Sequence, residues 1–428
     1  MDTERGKVME KKWIIKESGN SSVVKHLAAE LVVSDSLANL MVQRNITTPE
    51  EAKTFFSPSL DYLHDPFLMK DMNIAVDRLS TAIKKNEKIL VYGDYDVDGT
   101  TAVALVYSFL KEQYSNVEYY IPDRYKEGYG VSFEGLDFAY SSNCKLVITL
   151  DCGIKAVEKI QYARTKGLDV IICDHHYPGD DIPKALAVLD PKQPGCSYPY
   201  KELSGCGVGF KLVHAYSKIH GIPFSSIIHY LDLVAVSIAS DIVPITGENR
   251  VLAYYGLKQL NDSPRTGLRE IIREAEITRA LTIEDVVFKI GPRINAAGRM
   301  ETGSKAVDLL VSDDPKLATG ISKEINNFNI ERRSVDRVIT NEAMRMISED
   351  QRTSNARTTV LFNPSWKKGV IGIVASRLIE TYYRPTVILT ESNGFATGSA
   401  RSVQGYDLYQ AIEACSDLLE SFGGHMFA

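Results

Sequence analysis

Apolar and polar positions along the chain change period three times. Residues 1 to about 75 carry short stretches of helical spacing, and Thr48-Pro49-Glu50-Glu51 reads as a helix start with Thr48 as cap and proline in the first turn. From about 76 to 190, compact apolar runs alternate with segments of helical periodicity. Residues 87–92, 117–121, 146–150, 170–173 and 185–189 read as strands, and 101–114 and 155–165 as helices. Strands separated by helices at this spacing predict a parallel sheet. After about 200 the pattern is mainly helical. Residues 228–240 are apolar enough for a buried helix, and a helix-rich stretch covers 315–349, with the polar run NNFNIERRSVDR read as an exposed connector. Strands return at 359–362, 386–389 and 395–399, around a helix at 370–382. The expected fold class is α/β, with a larger parallel-sheet domain joined by a long helical connector to a smaller α/β domain. The expected segments are a helical lead-in at 1–75, the main domain with a helical insert at 76–314, the connector at 315–354 and the small domain at 355–428.

Composition narrows the class. The chain has 428 residues, and 49 Lys+Arg against 55 Asp+Glu give 49 − 55 = −6. Hydrophobic residues at 44% and charged residues at 24% fit a soluble globular protein of two or three domains. No run of about 18 apolar residues occurs, so no membrane span is expected. The opening MDTERGKVMEKKW has no apolar core of a secretory signal. Six cysteines without a CxxC fit a reducing cytoplasm and argue against a thiolate zinc site.

The acids fall where they matter. Asp94, Asp96 and Asp98 lie in GDYDVDG just past the first predicted strand. Asp151 ends LVITL, and Asp174 ends VIIC before His175 and His176. Residues just past the carboxyl ends of parallel strands line one crevice. Five aspartates meeting there would repel one another unless cations were present. Oxygen ligands with one or two imidazoles suit Mg²⁺ or Mn²⁺, and a pair of such ions is a common device for phosphoester hydrolysis. Taken singly, each motif has a plainer reading: an acidic turn, a helix cap, a structural histidine pair. Three acidic strand ends in one predicted crevice are hard to obtain without a metal site. No GxxxxGK[ST], no GxGxxG after the first strand and no GxSxG are present.

Eight segments, VYGDYDVDGTT, YIPDRYKEGYG, TLDCGI, ICDHH, SIASDIVP, GPRINAAGRM, GSARS and SFGGH, occur in an order that resembles the DHH phosphoesterase superfamily. The EGYG, NAAGR and GGH elements are similar to its RecJ branch of single-strand-specific exonucleases. The resemblance implies two-metal hydrolysis of single-stranded DNA from the 5′ end, yielding 5′-mononucleotides, in DNA repair and recombination. It implies metal ligands drawn from Asp94, Asp96, Asp98, Asp151, His175 and Asp241, with Asp151 central. His176 would face substrate, and Asp174 would orient a histidine. Small-molecule members of the superfamily carry a histidine where this chain has Tyr92, so that ligand's role falls to Asp94. For substrate, the resemblance points to Arg124, Ser399 and Arg401 at a 5′ phosphate and to Arg299 and His425 at the scissile phosphate. Arg293, Asn295, Gly423 and Gly424 complete that set. It further implies a single-strand-binding protein and a helicase as partners. RecJ proteins generally extend further, so a shortened chain is also expected. The rival expectations are a DHH enzyme acting on oligoribonucleotides or cyclic dinucleotides, and a non-catalytic replication scaffold.

Overall fold

The computed structural model describes residues 13–420, 422–424 and 426–428. The chain forms two compact units, one of residues 16–326 and one of residues 327–428 together with residues 13–15.

The larger unit is built on five parallel strands: β1 (Lys88–Gly93), β2 (Val117–Tyr120), β3 (Cys144–Leu150), β4 (Asp169–Cys173) and β5 (Ala187–Leu189), in the order β2-β1-β3-β4-β5. All four pairings are parallel. Alternation along each strand sends Ile89, Val91, Leu146, Ile148, Ile171 and Cys173 to one face, among the helices Val97–Gln113, Gly205–Ile219 and Leu231–Ser240. Leu90, Tyr92, Val147, Val170 and Ile172 face the other way, against the helices Phe133–Ser141 and Val157–Thr165. A sheet covered on both faces needs near-continuous apolar strands, which these sequences supply. The order of strand addition reverses between β1 and β3, and that switch opens a crevice at the carboxyl edge of the sheet.

Two helix starts differ from the sequence expectation by more than two residues, for local reasons. The first crossover helix begins at Val97 rather than at 101, because the Asp96 side chain caps it by accepting the Gly99 amide at 3.0 Å. The stretch expected at 228–240 opens as a single 3₁₀ turn, Ile228–Tyr230, before the α-helix Leu231–Ser240. The start at Thr48 is a full capping box with Glu51.

The stretch read as a connector lies within one helix, Pro315–Glu349. Ala318 and Ile325 belong to the core of the larger unit, whereas Ile339, Ala343 and Ile347 belong to that of the smaller. The polar run is not wholly exposed, since Asn329 and Asp336 are buried. Asp336 is matched by Arg377 at 2.8 Å. The smaller unit carries a three-stranded sheet in the order β6-β7-β8, from β6 (Thr359–Phe362), β7 (Thr386–Ser392) and β8 (Phe395–Arg401). Its β6–β7 pair is parallel and its β7–β8 pair antiparallel. The helix Lys368–Thr381 packs on one face, with Trp366, Val370, Val374 and Leu378 buried. Among the described residues no helix is long and apolar enough to cross a membrane.

Candidate metal centre

Three adjacent strands, β1, β3 and β4, end at Asp94, Asp151 and Asp174, so the sheet itself delivers the acids to one edge. Asp98 comes from the first turn of the helix after β1. Asp241 follows the end of the helix Leu231–Ser240.

His175 Nε2 is the meeting point. It lies 3.2 Å from Asp151 Oδ1, 3.6 Å from Asp98 Oδ2 and 3.6 Å from Asp241 Oδ2. Two groups hold ligand atoms within 4.8 Å of one another: Asp98, His175 and Asp241, and Asp151, His175 and His176. Asp94, Asp98, Asp151 and His175 are all buried. Among the described residues, Asp94 Oδ2, Asp151 Oδ1 and both ring nitrogens of His175 have no hydrogen-bond partner. Buried polar atoms are nearly always partnered. Unpartnered carboxyl oxygens and imidazole nitrogens buried at one edge of the sheet match the donor set of a hard divalent cation.

The protonation balance agrees. Burial, then the charge of Asp96, pushes Asp94 up to about 8. Burial, then Asp98 and Asp96, pushes Asp241 up to about 8. Burial and neighbouring carboxylates raise Asp98 and Asp151 as well. The acids resist ionisation together, and a cation among them would reverse the balance.

Asp174 has a different duty. Its Oδ2 accepts the Ile154 amide at 2.9 Å, and its Oδ1 accepts the His175 amide at 2.7 Å and lies 2.7 Å from His176 Nδ1. Burial alone would raise its pKa, but the hydrogen bond with His176 and the charge of that ring hold it below the usual carboxylate range. Asp174 is thus spent on fixing a ring. Burial disfavours the His176 cation, yet its bond to Asp174 lifts it to about 9. The other nitrogen of His176 lies 3.2 Å from the hydroxyl of exposed Tyr129.

Several supports were not visible in the sequence. Asp151 sits in the left-handed region at φ +59°, an uncommon conformation for a side-chain-bearing residue. A Cβ on Gly205 would fall 2.6 Å from Asp151 Cβ, so only glycine fits beside it. The amides of Gly205 and Cys206, at the start of the helix Gly205–Ile219, donate to Asp98 at 2.7 and 2.8 Å. The run of small residues in LSGCGVG was the available signal for this close approach. Tyr92 points away from the acids. Its buried hydroxyl donates to the Gly130 carbonyl at 2.9 Å and accepts the Ser132 amide at 3.1 Å, anchoring the EGYG loop. In turn the Gly130 amide donates to Asp94 Oδ1 at 3.2 Å. Three buried cysteines border the acids: Cys152 follows Asp151, Cys173 precedes Asp174, and the Cys206 amide donates to Asp98.

The expected substrate contacts divide. The guanidinium of Arg124 stacks over Tyr95, within GDYDVDG, at 4.0 Å, and its buried Nε has no hydrogen-bond partner among the described residues. A Cβ on Gly298 would fall 2.6 Å from the Tyr95 carbonyl, so the NAAGR turn packs directly on the acidic loop and brings Arg299 beside it. Asn295 Oδ1 is buried and unpartnered among the described residues. Arg293 is engaged by Asn326 Oδ1 at 3.0 Å and the Lys289 carbonyl at 2.8 Å, which makes it a brace between helices. In the smaller unit, Arg401 Nη1 donates to Ser399 Oγ at 3.1 Å, and both side chains lie against Gly372 of the helix Lys368–Thr381. Gly423 and Gly424 are exposed, and His425 lies outside the described residues.

A doubly covered parallel sheet with DHH at the end of β4 and acids on three neighbouring strand ends defines a DHH-type domain. The profile of the DHH family, N-terminal domain, matches residues 88–238, and that of the DHHA1 domain matches residues 355–428. The single-stranded-DNA-specific exonuclease RecJ of Bacillus subtilis is 40% identical over 97% of this chain and 52% of its own length. That of Dickeya dadantii is 31% identical over 94% of this chain and 73% of its own. A crystal structure of RecJ with Mn²⁺ from Thermus thermophilus superposes with TM-score 0.83 at 29% identity, covering 96% of this chain and 58% of that one. A manganese-bound exonuclease RecJ superposes with TM-score 0.75 at 32% identity, covering 86% of this chain and 90% of that one. The chain belongs to the RecJ family. It spans about half the length of the Bacillus relative.

Proposed function

We propose that the chain hydrolyses phosphodiester bonds of single-stranded DNA from the 5′ end, releasing 5′-mononucleotides, in DNA repair and recombination. One observation carries the reading: Asp98, Asp151 and Asp241 converge on His175 Nε2 at 3.2–3.6 Å, with buried ligand atoms left unpartnered among the described residues. The names of its relatives supply the substrate.

Asp94, Asp96, Asp98, Asp151, His175 and Asp241 would hold two manganese or magnesium ions. Bound there, such ions would lower the pKa of a water and offset charge on the leaving oxygen. The remaining work belongs to the side chains. Asp174 fixes the ring of His176 through Nδ1, 2.7 Å away, and leaves the opposite ring nitrogen to face a phosphate oxygen. By the family resemblance, Arg299, Asn295, Gly423, Gly424 and His425 would take the scissile phosphate. Arg124, Ser399 and Arg401 would take the 5′ phosphate. Arg293, already engaged as a brace, is left out. The family resemblance extends the reading to a single-strand-binding protein and a helicase as partners, and the six cysteines without a CxxC extend it to a reducing cytoplasm as compartment.

The test is digestion of long 5′-labelled single strands with EDTA, Mg²⁺ or Mn²⁺. Release of labelled mononucleotide only with metal is expected. Survival of long strands while short oligonucleotides are degraded would overturn the substrate assignment. Asp151→Asn tolerates the left-handed backbone and removes the charge. It should abolish cleavage and spare much of the strand binding, and full activity would overturn the metal assignment.

A further inference from the structure

Asp98 differs from the other acids of the centre. Asp94 and Asp151 each keep a buried oxygen without a partner among the described residues, but both oxygens of Asp98 are engaged. Oδ2 accepts the Gly205 amide at 2.7 Å. Oδ1 accepts the Cys206 amide at 2.8 Å and the Ser237 hydroxyl at 2.7 Å. Ser237 is fully buried on the helix Leu231–Ser240, and its Oγ also lies 2.6 Å from Ser204 Oγ.

A hydroxyl has one proton to give. The single Ser237 proton reaches Oδ1 of Asp98 at 2.7 Å and Ser204 Oγ at 2.6 Å, and a carboxylate is the stronger acceptor of the two. Ser204 is itself the cap of the helix Gly205–Ile219, and its Oγ accepts the Gly207 amide at 3.1 Å. Ser237 thus stands between Asp98 and Ser204, in contact with both. It saturates Oδ1 and leaves the free lone pair of Oδ2 toward His175 Nε2, 3.6 Å away.

We propose that Ser237, backed by Ser204, is a positioning residue for the metal centre: it clamps Oδ1 of Asp98 so that Oδ2 is presented to the ion. This deepens the function proposed above and rests on its metal reading. Outer-shell partners of this kind typically change metal affinity about 10–100-fold.

The experiment is calorimetric titration of the full chain with Mn²⁺, with melting measured in EDTA. Ser237→Ala should weaken Mn²⁺ binding about 10-fold or more while the EDTA melt stays within a few degrees of the parent. Ser204→Ala should weaken it less. The double variant should bind Mn²⁺ no more tightly than Ser237→Ala, since Ser204 also caps the helix whose first amides reach Asp98. Parent affinity in a folded Ser237→Ala chain would overturn the proposal. If Ser237→Ala does not fold, unchanged affinity in Ser204→Ala overturns it. A parent chain that binds no Mn²⁺ overturns instead the metal reading beneath it.

Discussion

Gly205→Ala puts one methyl group where Asp151 already is. The new Cβ would stand 2.6 Å from Asp151 Cβ and 2.9 Å from both its Cα and Oδ1. Ordinary contact begins near 3.4 Å, so something must move by about 0.8 Å. Asp151 cannot easily yield, because its amide is tied to the Cys173 carbonyl at 2.9 Å and its backbone is already in the left-handed region. The helix start must retreat instead. Adding about 0.8 Å to the 2.7 and 2.8 Å bonds from Gly205 and Cys206 to Asp98 takes them to about 3.5 and 3.6 Å, at or past the limit of a hydrogen bond. Each such bond to a charged group contributes about 1.5–3 kcal/mol, and a shift near 1 Å in a reacting constellation costs about 100-fold. Mn²⁺ affinity by calorimetry should therefore fall about 100-fold, or about 2.8 kcal/mol at about 1.4 kcal/mol per decade. Affinity within about threefold of the parent, with an unchanged melt, would refute the argument that this contact sets the position of the acids.

Lys211 and Glu248 form a fully buried ion pair, and Tyr198 and the His64 amide also donate to that carboxylate. Lys211→Met should cost about 3–5 kcal/mol in urea unfolding, and adding Glu248→Leu should recover most of it. With metal withheld, Asp94 and Asp241 carry pKa values raised to about 8. The folded chain then keeps protons that the unfolded chain releases near pH 4. Melting in EDTA should fall as pH rises from about 4 through 8, while Mn²⁺ affinity climbs in the upper part of that window with proton release. A melt that rises over the same window would count against the buried acids. Tyr92→Phe strips one partner from the Gly130 carbonyl and one from the Ser132 amide. It should cost about 1–3 kcal/mol and speed proteolysis of the loop at 124–131.

Much of the centre was legible because its acids lie next to strand ends, and strand ends can be read from short apolar runs. Asp94, Asp151, Asp174 and His175 came from that logic alone. Asp241 needed the family resemblance, since an acid after a buried helix carries no local sign of its target. The clamp on Asp98 was out of reach: Gly205 is 107 residues away and Ser237 is 139, and no periodicity links such distances. Asp190 ends β5 as a fourth strand-end acid, buried and with Oδ2 unpartnered among the described residues, yet its neighbours in DPKQPG read as a turn. The helix start at Val97 was misplaced because Gly99 weakens helix propensity, while acids in a first turn favour it. Arg293 looked like a phosphate grip from its flanking small residues, but its partners come from elements that sequence spacing does not bring together.

The thiols bordering the centre make it self-reporting. Cys152, Cys173 and Cys206 are buried, and burial raises all three thiol pKa values, so they are inert while the crevice is closed. A thiol reagent can reach them only when the carboxyl edge of the sheet opens. Labelling rates at these three positions therefore measure local opening of the acidic crevice, site by site, without DNA and without turnover.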